Sequence, residues 1–447
     1  MLVVRSNRVI LPEGERAAAL HIRDGVIEQI LEFGSEDPTG AKVFNVPDLV
    51  VSPGIVDTHV HVNEPGRSEW EGFDTATRAA AAGGVTALID MPLNSIPATT
   101  TVGALHTKVD AARAQCHVDV GFWGGVVPGN ARELEPLIDA GVRGFKCFLV
   151  PSGVDEFPAV GEVDLRLALP MLARRGVPLL VHAEDPASLT SPTDPTYMTY
   201  LTSRPPESEL AAIRLMIRLA EEFKARVHIV HVSSKEGVDA IASAKADWVP
   251  ITAETCPHYL TFAAEEIPDG ATEFKCAPPI RAGSHRAALW DGLGRGALDA
   301  IVTDHSPAPP ALKTPGDFAH AWGGIASLEL SLAATFTGLK SQVSTLKVES
   351  SELSLPCLLA RWMSAAPAAL AGLGDRKGRI AEGLDADFAV WDPEARFVVE
   401  PEQLQQRHKL TPYAGRVLSG TVLTTFVRGE RVWDRNRLAR AYGGRLL

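Results

Sequence analysis

A chain of 447 residues, 45% hydrophobic and 22% charged, has the composition of a folded globular protein with room for a large core, which excludes a disordered or collagen-like chain. Its formal net charge of -12, without any run of Lys or Arg, sets the surface against phosphate backbones and anionic bilayers, so neither nucleic acid nor membrane is an expected partner. Cys116, Cys147, Cys256, Cys276 and Cys357 form no CxxC pair, and the N-terminus carries no apolar leader; both features fit a cytoplasmic protein rather than a disulfide-stapled secreted one.

Read in chain order, residues 1–52 are short strand patterns broken by turns: MLVVRSNRVIL, then AALHIRDGVIEQIL with the hairpin signal Asp24-Gly25, then KVFNVPDLVVSP. The same texture returns over 370–447, in GRIAEGLDADFAVWDP, ARFVVEP and GRVLSGTVLTTFVRGERVWD, so the two ends are expected to pair into one small β-sandwich domain. Across 53–369 eight buried-strand runs alternate with Ala- and Leu-rich helical stretches: GIVDTHVH, VTALIDMP, HVDVGFWGGVV, GFKCFLV, PLLVHAED, VHIVHVSS, WVPITAETC and AIVTDHSP. Strand alternating with helix implies parallel pairing through right-handed crossovers, and eight such units predict a (β/α)8 TIM-like barrel in an α/β chain. The rival is an open doubly wound sheet, which lacks support because no GxGxxG follows an early strand. The polar stretch 341–355 reads as a loop.

Barrels carry their chemistry at the C-terminal ends of strands, and ionisable residues gather there in this chain. Strand alternation puts His59 and His61 on one face with Val60 turned away, a pair able to grip one cation or simply to be two satisfied histidines. Lys146 sits inside the apolar run GFKCFLV, where burial disfavours its charge; it is either a neutral amine able to add carbon dioxide or an ammonium paired to a carboxylate such as Glu184. His182 closes the fifth run and His231 the sixth, while His228, three residues before His231, faces the other way and reads as structural. Asp304 ends the eighth run, placed to bind metal and to exchange a proton with a bound water. No single residue decides the matter, yet ligand-type side chains at the ends of strands one, four, five, six and eight do not arise from core packing.

DTHVHVNEPG, GFKCF, VHAED, VHVSS, ETCPHYL, CAPPIR and TDHSP together resemble the cyclic amidohydrolase branch of the amidohydrolase superfamily, which holds allantoinases, dihydropyrimidinases or hydantoinases, and dihydroorotases. The resemblance covers nearly the whole chain. It implies two divalent metal ions, expected to be zinc, held by His59, His61, Lys146 as its carbamate (N6-carboxylysine), His182, His231 and Asp304 around a bridging hydroxide, with Asp304 as the catalytic proton carrier. Asn63 stands where dihydroorotases carry an Arg for the substrate carboxylate, which argues against that substrate. HVNEPGR, DMPLNSIPAT, FLVPSGVDEFPAV and DFAHAWGGIASLEL resemble allantoinases, which makes hydrolysis of allantoin to allantoate the expected reaction. The alternatives are a dihydropyrimidinase or hydantoinase, and a non-catalytic homologue. Ser152 stands where hydantoinases usually place a Tyr, and Asn63, Asn94, Ser152, Ala277 and Trp322 are the candidate substrate contacts; Asn94 reads equally as a turn former and Trp322 as a packing residue. Cys276 and Ala277 are read as presenting backbone groups to the substrate, and His258 and His305 as either orienting or structural residues. The resemblance further implies a homo-oligomer, a homotetramer being the expected state.

Overall fold

The computed structural model describes residues 1–342, 353–439 and 441–447, so residues 343–352 of the expected loop 341–355 lie outside the described residues. The N-terminal strands are β1 Leu2–Leu11, β2 Gly14–Arg23, β3 Val26–Leu31, β4 Lys42–Asn45 and β5 Val50–Pro53. The barrel strands are β6 Ile55–Val60, β7 Val85–Asp90, β8 Asp119–Phe122 with its continuation β9 Gly124–Gly125, β10 Phe145–Phe148, β11 Leu179–His182, β12 Val227–Ile229, β13 Ile251–Thr255 and β14 Ala300–Ile301. The C-terminal strands are β15 Phe388–Val398, β16 Val417–Val427 and β17 Glu430–Asp434.

All eight apolar runs of the central region are strands. β6, β7 and β8 pair in parallel, β9 to β14 do the same in sequence order, and a parallel bridge between Val60 and His305 joins the last unit to the first. Strands buried on both faces read as unbroken apolar runs because helices cover the outside of the barrel while its interior is filled by side chains. Asp57 reinforces the closure by accepting from the backbone N–H groups of His59 and Thr303 at 3.1 and 3.2 Å. Among the described residues, no helix is long and apolar enough to cross a membrane.

The two ends of the chain share one eight-stranded sheet, in the order β17-β16-β15-β5-β1-β2-β3 with β4 on β1. β4 lies on the same edge of β1 as β5, and its Phe44 ring reaches the Phe426 ring of β16 with centroids 5.5 Å apart. The sheet packs over a core that includes Val4, Leu20, Ile27, Val51, Phe388 and Phe426.

A buried charge cluster clasps this sheet to the barrel. Lys377 Nζ lies 2.7 Å from Asp119, 3.0 Å from Asp385 and 2.5 Å from Asp387, and Arg428 also binds Asp119. The three carboxylates could be mistaken for a metal site; the Lys377 ammonium already supplies their cation.

Candidate metal centre

His59 and His61 leave β6 on the same side with Val60 buried between them, their ring centroids 5.6 Å apart. Asp304 Oδ1 lies 3.1 Å from His59 Nε2 and 3.5 Å from His61 Nε2. His182 Nδ1 and His231 Nε2 face each other at 3.0 Å, and the His231 ring centroid is 5.4 Å from that of His59. One ligand atom each from His59, His231 and Asp304 falls within 4.8 Å of the others.

Two of these side chains are aimed by the backbone rather than by strand parity. β12 ends at Ile229, and His231 follows with φ 40°; Asp304, just beyond β14, has φ 46°. Both lie in the left-handed region, at a cost of order 1–3 kcal/mol each. That strain is stored where the chain must bend to deliver a ligand into the mouth.

Lys146, in β10, is fully buried, its Nζ without a hydrogen-bond partner among the described residues and 5.1 Å from the centre of the Phe148 ring. Glu184 does not neutralise it, being taken by His182 Nε2 at 2.6 Å and Arg204 Nη1 at 2.7 Å. Burial therefore pulls Lys146 down to about 8. Burial also brings His61 to about 4 and lowers His182 and, further, His231, which keeps their lone pairs free. His59 differs: burial depresses it, but Asp304 and Glu254 more than offset the effect and raise it. Burial would raise Asp304, yet His59 and His61 hold its carboxyl well below the usual range. Imidazoles with free lone pairs, an ionised carboxylate and an orphaned amine make a donor set that fits divalent cations.

Glu254 is a residue the sequence reading passed over. From β13 it accepts from His59 Nδ1 at 2.5 Å and from His228 Nε2 at 2.9 Å, while His228 Nδ1 meets Thr252 Oγ1 at 2.8 Å. His228, read from the sequence as structural, thus steadies the carboxylate that orients His59. The available signal was a Glu inside the otherwise buried run ITAET.

The mouth opens into a cavity of about 400 Å³ lined by His59, His61, His182, His231 and Asp304. Asn94, Ser152, Ala277 and Trp322 are also in its wall; Asn63 is not, because at φ 66° its amide turns to donate to Pro307 O at 3.3 Å. Asn94 also has a left-handed backbone, at φ 63°, and brings Nδ2 to 3.4 Å from His61 Nδ1. The Ser152 hydroxyl is turned back into its own loop, toward Phe157 O at 2.6 Å and Val154 O at 3.2 Å. Trp322 packs edge-on against Trp70, and its loop is held by buried ammonium groups: Lys275 donates to Ala319 O and Ala321 O, Lys313 to Trp322 O and Gly324 O. Tyr200 OH donates to Cys276 O at 2.7 Å. His305 is tied away from the mouth, its Nδ1 accepting from the Ser327 and Leu328 backbone and its Nε2 meeting Glu71. His258 is buried with neither ring nitrogen hydrogen-bonded among the described residues.

A parallel barrel that gathers free imidazole lone pairs around an ionised carboxylate at its C-terminal mouth has the design of a metal-dependent hydrolase. Residues 50–432 match the model of the amidohydrolase family, and the chain belongs to that family. It is 52% identical over 434 residues to the allantoinase of Streptomyces avermitilis, covering 96% of this chain and 95% of that one. It is 42% identical to the allantoinase of Arabidopsis thaliana, covering 98% and 88% respectively. Among solved structures, the L-hydantoinase (dihydropyrimidinase) of Arthrobacter aurescens superposes with a TM-score of 0.92 at 29% identity, over 100% of this chain and 99% of that one. The resemblance read from the motifs, to the cyclic amidohydrolase branch, is borne out.

Proposed function

We propose that the chain is an allantoinase, hydrolysing the cyclic amide bond in the hydantoin ring of allantoin to give allantoate. The observation that carries this reading is the buried Lys146 amine, without a hydrogen-bond partner among the described residues and close enough to His59, His61, His182, His231 and Asp304 to interact with them electrostatically, those five residues lining a ligand-sized cavity, in a chain whose relatives bear that name. Two divalent cations, zinc being our choice, would be held by His59, His61, His182, His231 and Asp304, with Lys146 completing the set as its carbamate. With Lys146 pulled down to about 8, a fraction of its amine is neutral near physiological pH; that neutral amine would add carbon dioxide and release one proton to solvent, and the carbamate would replace an orphaned donor with an anionic ligand. When bound, the cations supply a Lewis acid for the ring carbonyl and bring the pKa of a water near neutrality.

The chain's own residues do the rest. Asp304 is ionised and reaches the cavity, so it can take the proton of the attacking water at Oδ1 or Oδ2 and return it to the departing ring nitrogen. Glu254 and Glu184 fix the rings of His59 and His182 from behind. Asn94, Ser152, Ala277 and Trp322 offer walls for the substrate, the Ser152 hydroxyl being engaged by Phe157 O. We divide the chain into a terminal β domain, 1–52 with 370–447, and a catalytic barrel, 53–369. We also propose a cytoplasmic homotetramer: the location is supported by five buried free cysteines, the assembly by the resemblance alone.

The test is allantoate formation by the purified chain, before and after chelation, with hydantoin and dihydrouracil as competing substrates. Chelation and Lys146→Ala are each expected to abolish turnover, and a short carboxylic acid to restore part of the Lys146→Ala rate by standing in for the missing ligand. Near-native turnover by Lys146→Ala, or a preference for hydantoin or dihydrouracil over allantoin, would overturn the reading.

A further inference from the structure

Arg204 closes the short helix Tyr197–Ser203 and precedes Pro205, which keeps it out of the helical region, here at φ -128° and ψ 68°. Its carbonyl accepts from Arg281 Nη1 at 2.9 Å, so the segment is held at both ends of the residue. The guanidinium is in the cavity wall, 21% exposed, and bonded through Nη1 to the buried Glu184 at 2.7 Å. Among the described residues, Nε and Nη2 have no hydrogen-bond partner, and neither is shut away from the cavity. Lys275, the neighbouring cation of the wall, differs because its ammonium is committed to Ala319 O and Ala321 O. A planar guanidinium with one edge anchored and another edge free is a rigid donor for a carbonyl oxygen.

Arg204 and His182 share the Glu184 Oε2 atom, on the side of the imidazole away from the ligand cluster. The guanidinium therefore stands beside the reacting centre without facing it, one imidazole ring removed. Allantoin is a hydantoin ring with a ureido arm on the carbon next to the carbonyl that is attacked. That arm ends in a urea, whose carbonyl oxygen is an acceptor and whose N–H groups are donors.

We propose that Arg204 is the specificity-determining residue for the ureido arm, donating from its free edge to the urea carbonyl while Glu184 holds it in place. The inference rests on the allantoinase reading and names the group that would tell allantoin from plain hydantoin. Losing a charged donor to a neutral carbonyl is expected to weaken binding of the arm by about 10- to 100-fold. Hydantoin, which has the same ring and no arm, has nothing to lose.

The experiment measures KM for allantoin and Ki for hydantoin as a competitor of allantoin hydrolysis, in the wild-type chain, Arg204→Lys and Arg204→Gln. Arg204→Lys keeps the cation on Glu184 but removes the second donor edge, and it carries the test if Arg204→Gln fails to fold. The expected result is a rise in allantoin KM of about 10- to 100-fold with a change in hydantoin Ki below about threefold. Parallel changes in both constants would mean that Arg204 acts only through Glu184 and His182, and would overturn the inference, as would constants that do not move at all. Wild-type chain inactive on allantoin would instead sink the underlying reading, a failure visible before any variant is made.

Discussion

Replacing Glu254 by Gln keeps the volume of a fully buried side chain and removes its charge. The carboxylate accepts from two rings, His59 Nδ1 at 2.5 Å and His228 Nε2 at 2.9 Å, and a glutamine can satisfy one of them only by turning its NH2 toward the other. Burial alone would raise Glu254, but His59 and His228 bring it down to about 2 from an ordinary 4.5. At 1.36 kcal/mol per unit, the charged form is favoured by about 3 kcal/mol net of the cost of burial. A folded carboxylate depressed in this way contributes stability above its unfolded pKa and loses it as pH falls through about 2, so at pH 7 the whole effect is present. The loss falls on the orientation of His59, and metal affinity is expected to drop by about 10- to 100-fold. A titration of zinc into metal-free chain against a competing chelator, wild type beside Glu254→Gln, reads this directly. A variant that binds zinc as tightly as wild type and keeps its kcat would refute the reasoning.

Glu329 accepts from the Gln405 backbone N–H at 2.6 Å, and its burial, only partly offset by that bond and by Lys409, raises it to about 7. The folded chain therefore holds a proton that the unfolded chain releases near pH 4.5, and stability declines as pH rises from there to about 7, by up to about 3 kcal/mol. Glu329→Gln is expected to melt several degrees above wild type at pH 8 and together with it at pH 4.5; equal melting temperatures at pH 8 would count against this. Among the described residues, Lys377→Met leaves Asp119, Asp385 and Asp387 with the Arg428 guanidinium, and Arg376 at the rim, to compensate them. Breaking such a buried cluster costs about 3–5 kcal/mol, visible as a large fall in thermal midpoint, and a midpoint unchanged from wild type would show that the clasp is not stabilising.

The sequence by itself determined what local periodicity and residue chemistry encode. Eight apolar runs separated by helical stretches are strands because each is short and buried on both faces, and alternation alone put His59 and His61 on one side of β6. A lysine inside an apolar run had to be unusual, and Lys146 is. Tertiary structure decided the rest, since closure of a barrel joins residues that no local pattern relates. Glu254 meets His59 across 195 positions, and Asp57 meets Thr303 across 246. His231 and Asp304 are aimed by left-handed turns just past their strands, where parity no longer applies. Asn63 turns toward Pro307, Ser152 into its own loop and Arg204 into the cavity, because a side chain's direction outside a strand is set by the partners that packing brings to it.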